Sequence, residues 1–254
     1  MNNIIDSHCH LDFDVFNCDR NAVIERAYNE GIKHIIIPGV KRKNWDLIRA
    51  ICDNSQQIHA CYGLHPYLAG EHTDDDIIQL RHWLENNDCV AVGECGLDFR
   101  NNQADKDLQF KFFNAQLDMA HALEKPVVIH SVRATEDVIS SIKNHPGLRG
   151  MIHSYSGSYE QAMQLIDLGF YISLGGAITY DNARKLRATA SSIPLDSILL
   201  ETDAPDQPDA DHFIQRNEPA YLVNVLQCLS ELRDEPIKEI AAQTTKNAQD
   251  LFGI

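Results

Sequence analysis

Val90-Ala91-Val92-Gly93-Glu94-Cys95-Gly96-Leu97-Asp98 opens the stretch that decides the fold. An apolar run ends in polar residues, and a segment with helical spacing follows. Leu108, Phe112, Ala115, Met119 and Ala122 recur there at i, i+4, i+7, i+11 and i+14. A second apolar run, Val127-Val128-Ile129, then ends in His130. Nearly continuous Val and Ile runs suit strands buried on both faces, and a helix between two such strands makes them parallel.

The same rhythm extends in both directions. Apolar runs fall at residues 4–5, 34–38, 58–63, 90–93, 127–129, 151–152, 170–174 and 198–200. Helical spacing fills the gaps at 21–30, 45–54, 77–86, 108–122, 135–144, 160–168 and 182–191, and two more helices, 218–232 and 237–252, close the chain. Asp74, Asp75 and Asp76 precede the third of these helices, where carboxylates favour a helix N-terminus. Eight such units in 254 residues predict an α/β chain folded as a (β/α)8 TIM barrel, a single domain over residues 1–254. The alternative is a doubly wound open sheet. The nucleotide signatures of open sheets, G-x-G-x-x-G and G-x-x-x-x-G-K-[ST], are absent from the sequence.

Composition narrows the function. Apolar residues make up 44% and charged residues 23%, as in ordinary globular chains. No apolar run reaches the ~18 residues of a membrane span, so no membrane partner is expected. Met1-Asn2-Asn3-Ile4-Ile5-Asp6 has neither a basic nor a long apolar region, which argues against a leader. The net charge of −15 excludes a protein that coats duplex nucleic acid through a broad basic face. It leaves open a nucleic-acid enzyme whose local positive charge comes from bound metal. Seven Cys occur without a C-x-x-C pair; Cys52, Cys61, Cys89 and Cys228 read as buried thiols, and a cytoplasmic location follows as an expectation. A monomer with no obligate protein partner is the default.

The metal-capable side chains fall after the apolar runs. His8 and His10 follow the first, His65 the third, Glu94 the fourth, His130 the fifth, His153 the sixth and Asp203 the eighth. In a barrel these positions share the C-terminal rim, where active sites are built. His8-Cys9-His10 is an H-x-H pair, and residues i and i+2 of a strand face alike, so both rings reach one ion. Asp6 shares that parity and is placed to orient a ligand. Glu94 sits between glycines, where one carboxylate is able to bridge two ions. For His130 or His153 alone a hydrogen-bonded structural role is the better reading; together, beside H-x-H and Glu94, they read as ligands.

Glu201-Thr202-Asp203-Ala204-Pro205 puts two carboxylates on one side of the eighth strand. Asp203, nearer the rim, is the candidate ligand and general base, with Glu201 as buried support. Asp98 is open between a supporting carboxylate, a substrate contact and a loop acid. His65 reads as a contact to a substrate oxygen or as a structural residue before Pro66. Cys9 and Cys95 read as packing residues, and no G-x-S-x-G elbow is present.

Four His with Glu94 and Asp203 are more ligands than one ion takes from protein. They predict divalent metal ions, two per chain (Mg, Mn or Zn), with metal-activated water and Asp203 as proton acceptor.

The order of these stretches resembles the TatD family of metal-dependent hydrolases and deoxyribonucleases. The matching segments are Asp6-Ser7-His8-Cys9-His10-Leu11-Asp12, Gly63-Leu64-His65-Pro66, Gly93-Glu94-Cys95-Gly96-Leu97-Asp98, Val128-Ile129-His130-Ser131, His153-Ser154-Tyr155-Ser156-Gly157, Glu201-Thr202-Asp203-Ala204-Pro205 and Thr244-Thr245-Lys246-Asn247-Ala248. The resemblance implies His8, His10, Glu94, His130, His153 and Asp203 as ligands and His65 as a substrate contact. It implies phosphodiester hydrolysis, typically of DNA from single-stranded or frayed ends. The family usually carries His-Ser-Arg after the fifth strand; here Val132 takes the third place and Arg133 stands in for the arginine. A small-molecule amide or ester hydrolase on the same centre is the alternative. Many related barrels bridge their ions with a carboxylated Lys where Glu94 stands, which favours the TatD-like reading. A metal-binding scaffold without activity is disfavoured because the ligand set is intact.

Overall fold

Every apolar run forms a strand of one sheet. A computed structural model describes residues 3–100 and 104–254, so the start of the leader reading, Met1-Asn2, lies outside it. The strands are β1 (Ile4–Asp6), β2 (Ile32–Pro38), β3 (Ile58–Tyr62), β4 (Ala91–Asp98), β5 (Val127–Val132), β6 (Gly150–Ile152), β7 (Phe170–Leu174) and β8 (Ile198–Leu200). All pair in parallel and in sequence order. The seam between β8 and β1 is closed by Ser7 N–H to Leu200 O at 3.0 Å and Asp203 N–H to His8 O at 2.9 Å. The expected (β/α)8 barrel is the fold.

Helices α1 (Arg20–Asn29), α2 (Trp45–Asp53), α3 (Asp74–Asn86), α4 (Lys106–Ala122), α5 (Thr135–Lys143), α6 (Tyr159–Asp167) and α7 (Arg184–Ser192) alternate with the strands, and α8 (Leu222–Leu232) and α9 (Ile237–Phe252) follow. Two helix starts differ from expectation by three residues or more. The three aspartates lie inside the first turn of α3, because Thr73 caps it through a reciprocal box with Asp76. The helix expected from 218 begins only at Leu222, after a 3₁₀ turn over Pro219–Tyr221.

Two apolar layers hold the barrel. The outer one packs Ile35, Val92, Leu97 and Ile129 against helix residues such as Phe112 and Val138. The inner one takes one residue from each strand: Ile5, Ile36, Cys61, Ala91, Val128, Met151, Tyr171 and Leu199. Leu251 and Phe252 of α9 plug it from the N-terminal end, where Asn247 donates to Leu195 O and Ile198 O. The bottom is therefore packed shut, and the C-terminal rim is left for chemistry.

Strand alternation carries the inner layer up to the rim. Counting by twos from Cys61, Val128, Met151 and Leu199 turns His65, His130, His153 and Asp203 inward. Glu94 breaks the count, since an unbroken β4 would place it outward with Val92. A bulge intervenes: Val92 pairs with Val127 and Cys95 with Ile129, three steps against two. The extra residue turns Glu94 inward and returns Cys95 to the outer layer.

Gly96 shows how tightly this strand is fitted. Its φ is +141°, and a Cβ there would lie 2.0 Å from His130 O. Gly96→Ala is expected to cost about 3 kcal/mol and to lower Tm by ~6–12 °C. A Tm within 2 °C of wild type, read by circular dichroism, would mean that β5 yields freely at His130.

Candidate metal centre

His8 and His10 reach the centre by a different route from the one expected. Both lie beyond β1 in irregular chain, so the pleat does not align them. Their segment is pinned instead by Cys9 N–H to Ile36 O at 3.0 Å and His10 N–H to Ala204 O at 2.8 Å. Asp6 faces outward with Ile4, and it orients His8 through the backbone only, its Oδ1 accepting from His8 N–H at 3.2 Å. It accepts hydrogen bonds from Thr202 Oγ1 at 2.6 Å and Thr202 N at 3.0 Å and so stitches β1 to the end of β8. Burial pushes its carboxyl up to about 8, against the lowering effect of Thr202.

Glu94 lies at the floor of the centre, and its two oxygens face different groups. Oε2 is 3.3 Å from His8 Nε2 and 3.6 Å from His10 Nε2. Those nitrogens are 3.3 Å apart, and Asp203 Oδ1 lies 3.5 and 3.4 Å from them. Oε1 is 3.0 Å from both His130 Nδ1 and His153 Nε2, which are themselves 3.1 Å apart. His65 Nε2 also lies 3.1 Å from Oε1.

Supporting groups fix which nitrogens face inward. Asp98 Oδ2 is 3.1 Å from His130 Nε2, so it holds that ring's proton and leaves Nδ1 as a lone pair. Glu201 Oε1, 3.5 Å from His153 Nδ1, faces the outer side of the second ring. His65 has the opposite tautomer. Its Nδ1 accepts from Tyr67 N–H at 3.0 Å, so Nε2 carries the proton and His65 is a donor.

This donor set fits cations. Four atoms ~2.0–2.2 Å from a tetrahedral ion lie ~3.3–3.6 Å apart, the spacing found around Glu94 Oε2. Two imidazole nitrogens 3.1 Å apart, each 3.0 Å from a carboxylate oxygen, make a place for a positive charge. Glu94 Oε2 is buried without a hydrogen-bond partner. The electrostatics agree. Burial alone would raise the Glu94 carboxyl, but His65, His153 and His8 hold it well below the usual range. Burial works against His10 as well, yet Asp203 and Glu94 raise it to about 9. Burial drives His65 down to about 4, so its ring is neutral.

The centre opens into a cleft of about 1070 Å³. Of the other expected residues, Asp98 is fully buried and its carboxylate is taken by His130 and Arg100; it stands behind the wall, not on it. Arg133 is exposed and absent from the cleft wall: β5 runs on to Val132, and a left-handed turn, φ +54°, carries Arg133 outside. Cys9 and Cys95 are buried with raised pKa values, as expected of packing residues, but Cys52 and Cys89 are only half-buried.

The sequence reading missed several groups. Gln207 donates to Asp203 Oδ2, and Ser154 Oγ donates to Gln207 Oε1 at 2.7 Å. Asn217 ties that loop down through Thr202 O and Asp206 O. No spacing in the sequence marks Gln207 or Asn217. Arg100, Lys41 and Lys43 line the cleft. The run Lys41-Arg42-Lys43, directly after an apolar strand in so acidic a chain, was a usable signal.

Comparison with known proteins places the chain in a family. The family described as TatD-related DNase matches residues 5–253. The metal-dependent hydrolase YjjV of Escherichia coli K12 is 38% identical over 253 residues, 98% of each chain. YabD of Bacillus subtilis 168, of the same description, is 34% identical over 253 residues, 99% of each chain. The crystal structure of YjjV has a TM-score of 0.93 and covers 100% of this chain and 99% of its own. A TatD family hydrolase of Entamoeba histolytica, at 21% identity, shares the fold with a TM-score of 0.88 over 98% of both chains.

Proposed function

The chain belongs to the TatD-related DNase family of metal-dependent hydrolases, and from that premise we propose that it hydrolyses phosphodiester bonds of DNA at single-stranded or frayed ends. The observation that carries this reading is the division of Glu94 between two donor groups. His8, His10 and Asp203 with Oε2 would hold one divalent ion, and His130 and His153 with Oε1 a second. When bound, such ions supply a water of lowered pKa and neutralise charge on an attacked phosphoryl group.

The chain's own residues supply the rest. Asp203 is set by Gln207 and borders the cleft, whereas Glu94 is sealed at its floor. Asp203 is thus the group that takes the proton of the attacking water. His65 borders the same space; its Nε2–H faces Glu94 Oε1 and would turn to a phosphoryl oxygen when that carboxylate holds an ion. Asp98 keeps the His130 ring from turning, and Glu201 faces the outer side of the His153 ring. The cleft lies at the upper end of small-molecule pockets and suits a few nucleotides.

The metal-loaded protein is expected to contain two equivalents by elemental analysis and to hydrolyse bis(p-nitrophenyl) phosphate. Chelation removes both properties together. One equivalent, with turnover of carboxylic esters or amides and none of the phosphodiester, would contradict this reading.

A further inference from the structure

The cleft wall is electrically divided. Going round the rim, β1 is followed by Asp12 and Asp14, β2 by Lys41 and Lys43, β3 by His65 and Tyr67, and β4 by Arg100. On β5 and after β6 the wall carries Ser131, Ser154 and Ser156, and after β8 come Asp203, Asp206 and Gln207. The cations of the wall all stand on the β2–β4 arc. Lys41 and Lys43 form no ion pair among the described residues.

Arg100 is the third member of the arc. Asp98 clamps its Nε and Nη2, yet the side chain is still 47% exposed. The guanidinium lies 5.9 Å from the centroid of the Tyr67 ring. Tyr67 itself is 56% exposed, an unusual position for a large aromatic ring on a wall. It stands beside His65, between the lysines and the arginine in the order of the rim. Cations spaced along a groove with an aromatic face between them are the chemistry that holds single-stranded nucleic acid.

We propose that the β2–β4 rim is the strand-binding arm of the centre, in which Lys41, Lys43 and Arg100 hold the phosphates neighbouring the reacting one and Tyr67 stacks a base between them. This rests on the phosphodiesterase reading above and deepens it. A strand leaves the centre over β3, and its terminal nucleotide lies toward the acidic β8 side. The acidic side repels a continuing phosphate chain, so an end is accepted where an internal segment is not.

The test is binding of fluorescein-labelled phosphorothioate dT10, which resists hydrolysis, to the metal-loaded protein by anisotropy. Lys41→Ala plus Lys43→Ala is expected to raise Kd at least tenfold and to flatten the salt dependence by about 1.4 in log–log slope. Tyr67→Ala is expected to raise Kd ~5-fold or more with no change of slope. Lys41→Arg plus Lys43→Arg keeps both affinity and slope. The proposal is overturned if the alanine variants bind as wild type does. It is also overturned if wild type ignores the oligonucleotide while hydrolysing bis(p-nitrophenyl) phosphate; the phosphodiesterase reading then survives. Wild type that turns over no phosphodiester at all removes the underlying reading and the arm with it.

Discussion

Asp203→Asn is expected to lower kcat on bis(p-nitrophenyl) phosphate by about 10²–10⁴ while the fold stays intact. Asn keeps the volume and one acceptor for Gln207, so the loop after β8 has no reason to move. What it loses is the anionic oxygen that lies 3.4 Å from His10 Nε2 and 3.5 Å from His8 Nε2. Without that charge the variant has no acceptor for the water's proton and one fewer anion for a cation. Asp203 has φ +56°, and Asn tolerates the left-handed region as readily as Asp. The melting temperature therefore separates the two effects. Near-wild-type kcat would remove Asp203 from the mechanism, whereas a collapsed melt would make it a folding residue.

Glu94→Gln is expected to cost metal before it costs structure. Both oxygens of Glu94 face imidazole nitrogens at 3.0–3.6 Å, and the carboxylate is 1% exposed. The amide has one oxygen, so one group keeps a weak neutral donor and the other receives an NH₂ that repels cations. Less than one equivalent of metal is expected to remain after dialysis, with turnover lost. The fold should persist, because the strand bulge that turns this position inward depends on Gly93 and the β5 register and not on the charge. Two retained equivalents in the variant would show that Glu94 bridges nothing.

The sequence carried the barrel because its signals are local and repeated. Val and Ile runs with helices between them leave few topologies. Side chains that follow pleat alternation were legible too: His130 lies on β5, and His65, His153 and Asp203 come within three residues of strand ends whose parity can be counted from the apolar core. Three positions were reached for the wrong reason. His8 and His10 converge through backbone bonds to β2 and β8, partners more than twenty-five residues away. Glu94 faces inward only because of a bulge, and a bulge depends on the partner strand's register. Asp6 fell to the outer seam by the same alternation that placed the others inside.

Substrate contacts were the least legible. Arg133 was expected from a family pattern, but β5 runs on through Val132 and the turn at Arg133 carries it outside the cleft. Arg100 takes a place on the wall because Asp98 holds it there, and a pairing two residues apart has no periodic signature. Gln207 sets Asp203 from a loop with no regular structure to betray it.

The most direct measurement is hydrolysis of single-stranded DNA, labelled at the 5′ end in one sample and the 3′ end in another, by metal-loaded protein beside Asp203→Asn. Stepwise shortening from one end that needs both metal and Asp203 is expected. Intact DNA after incubation with folded, metal-loaded wild-type protein would contradict it.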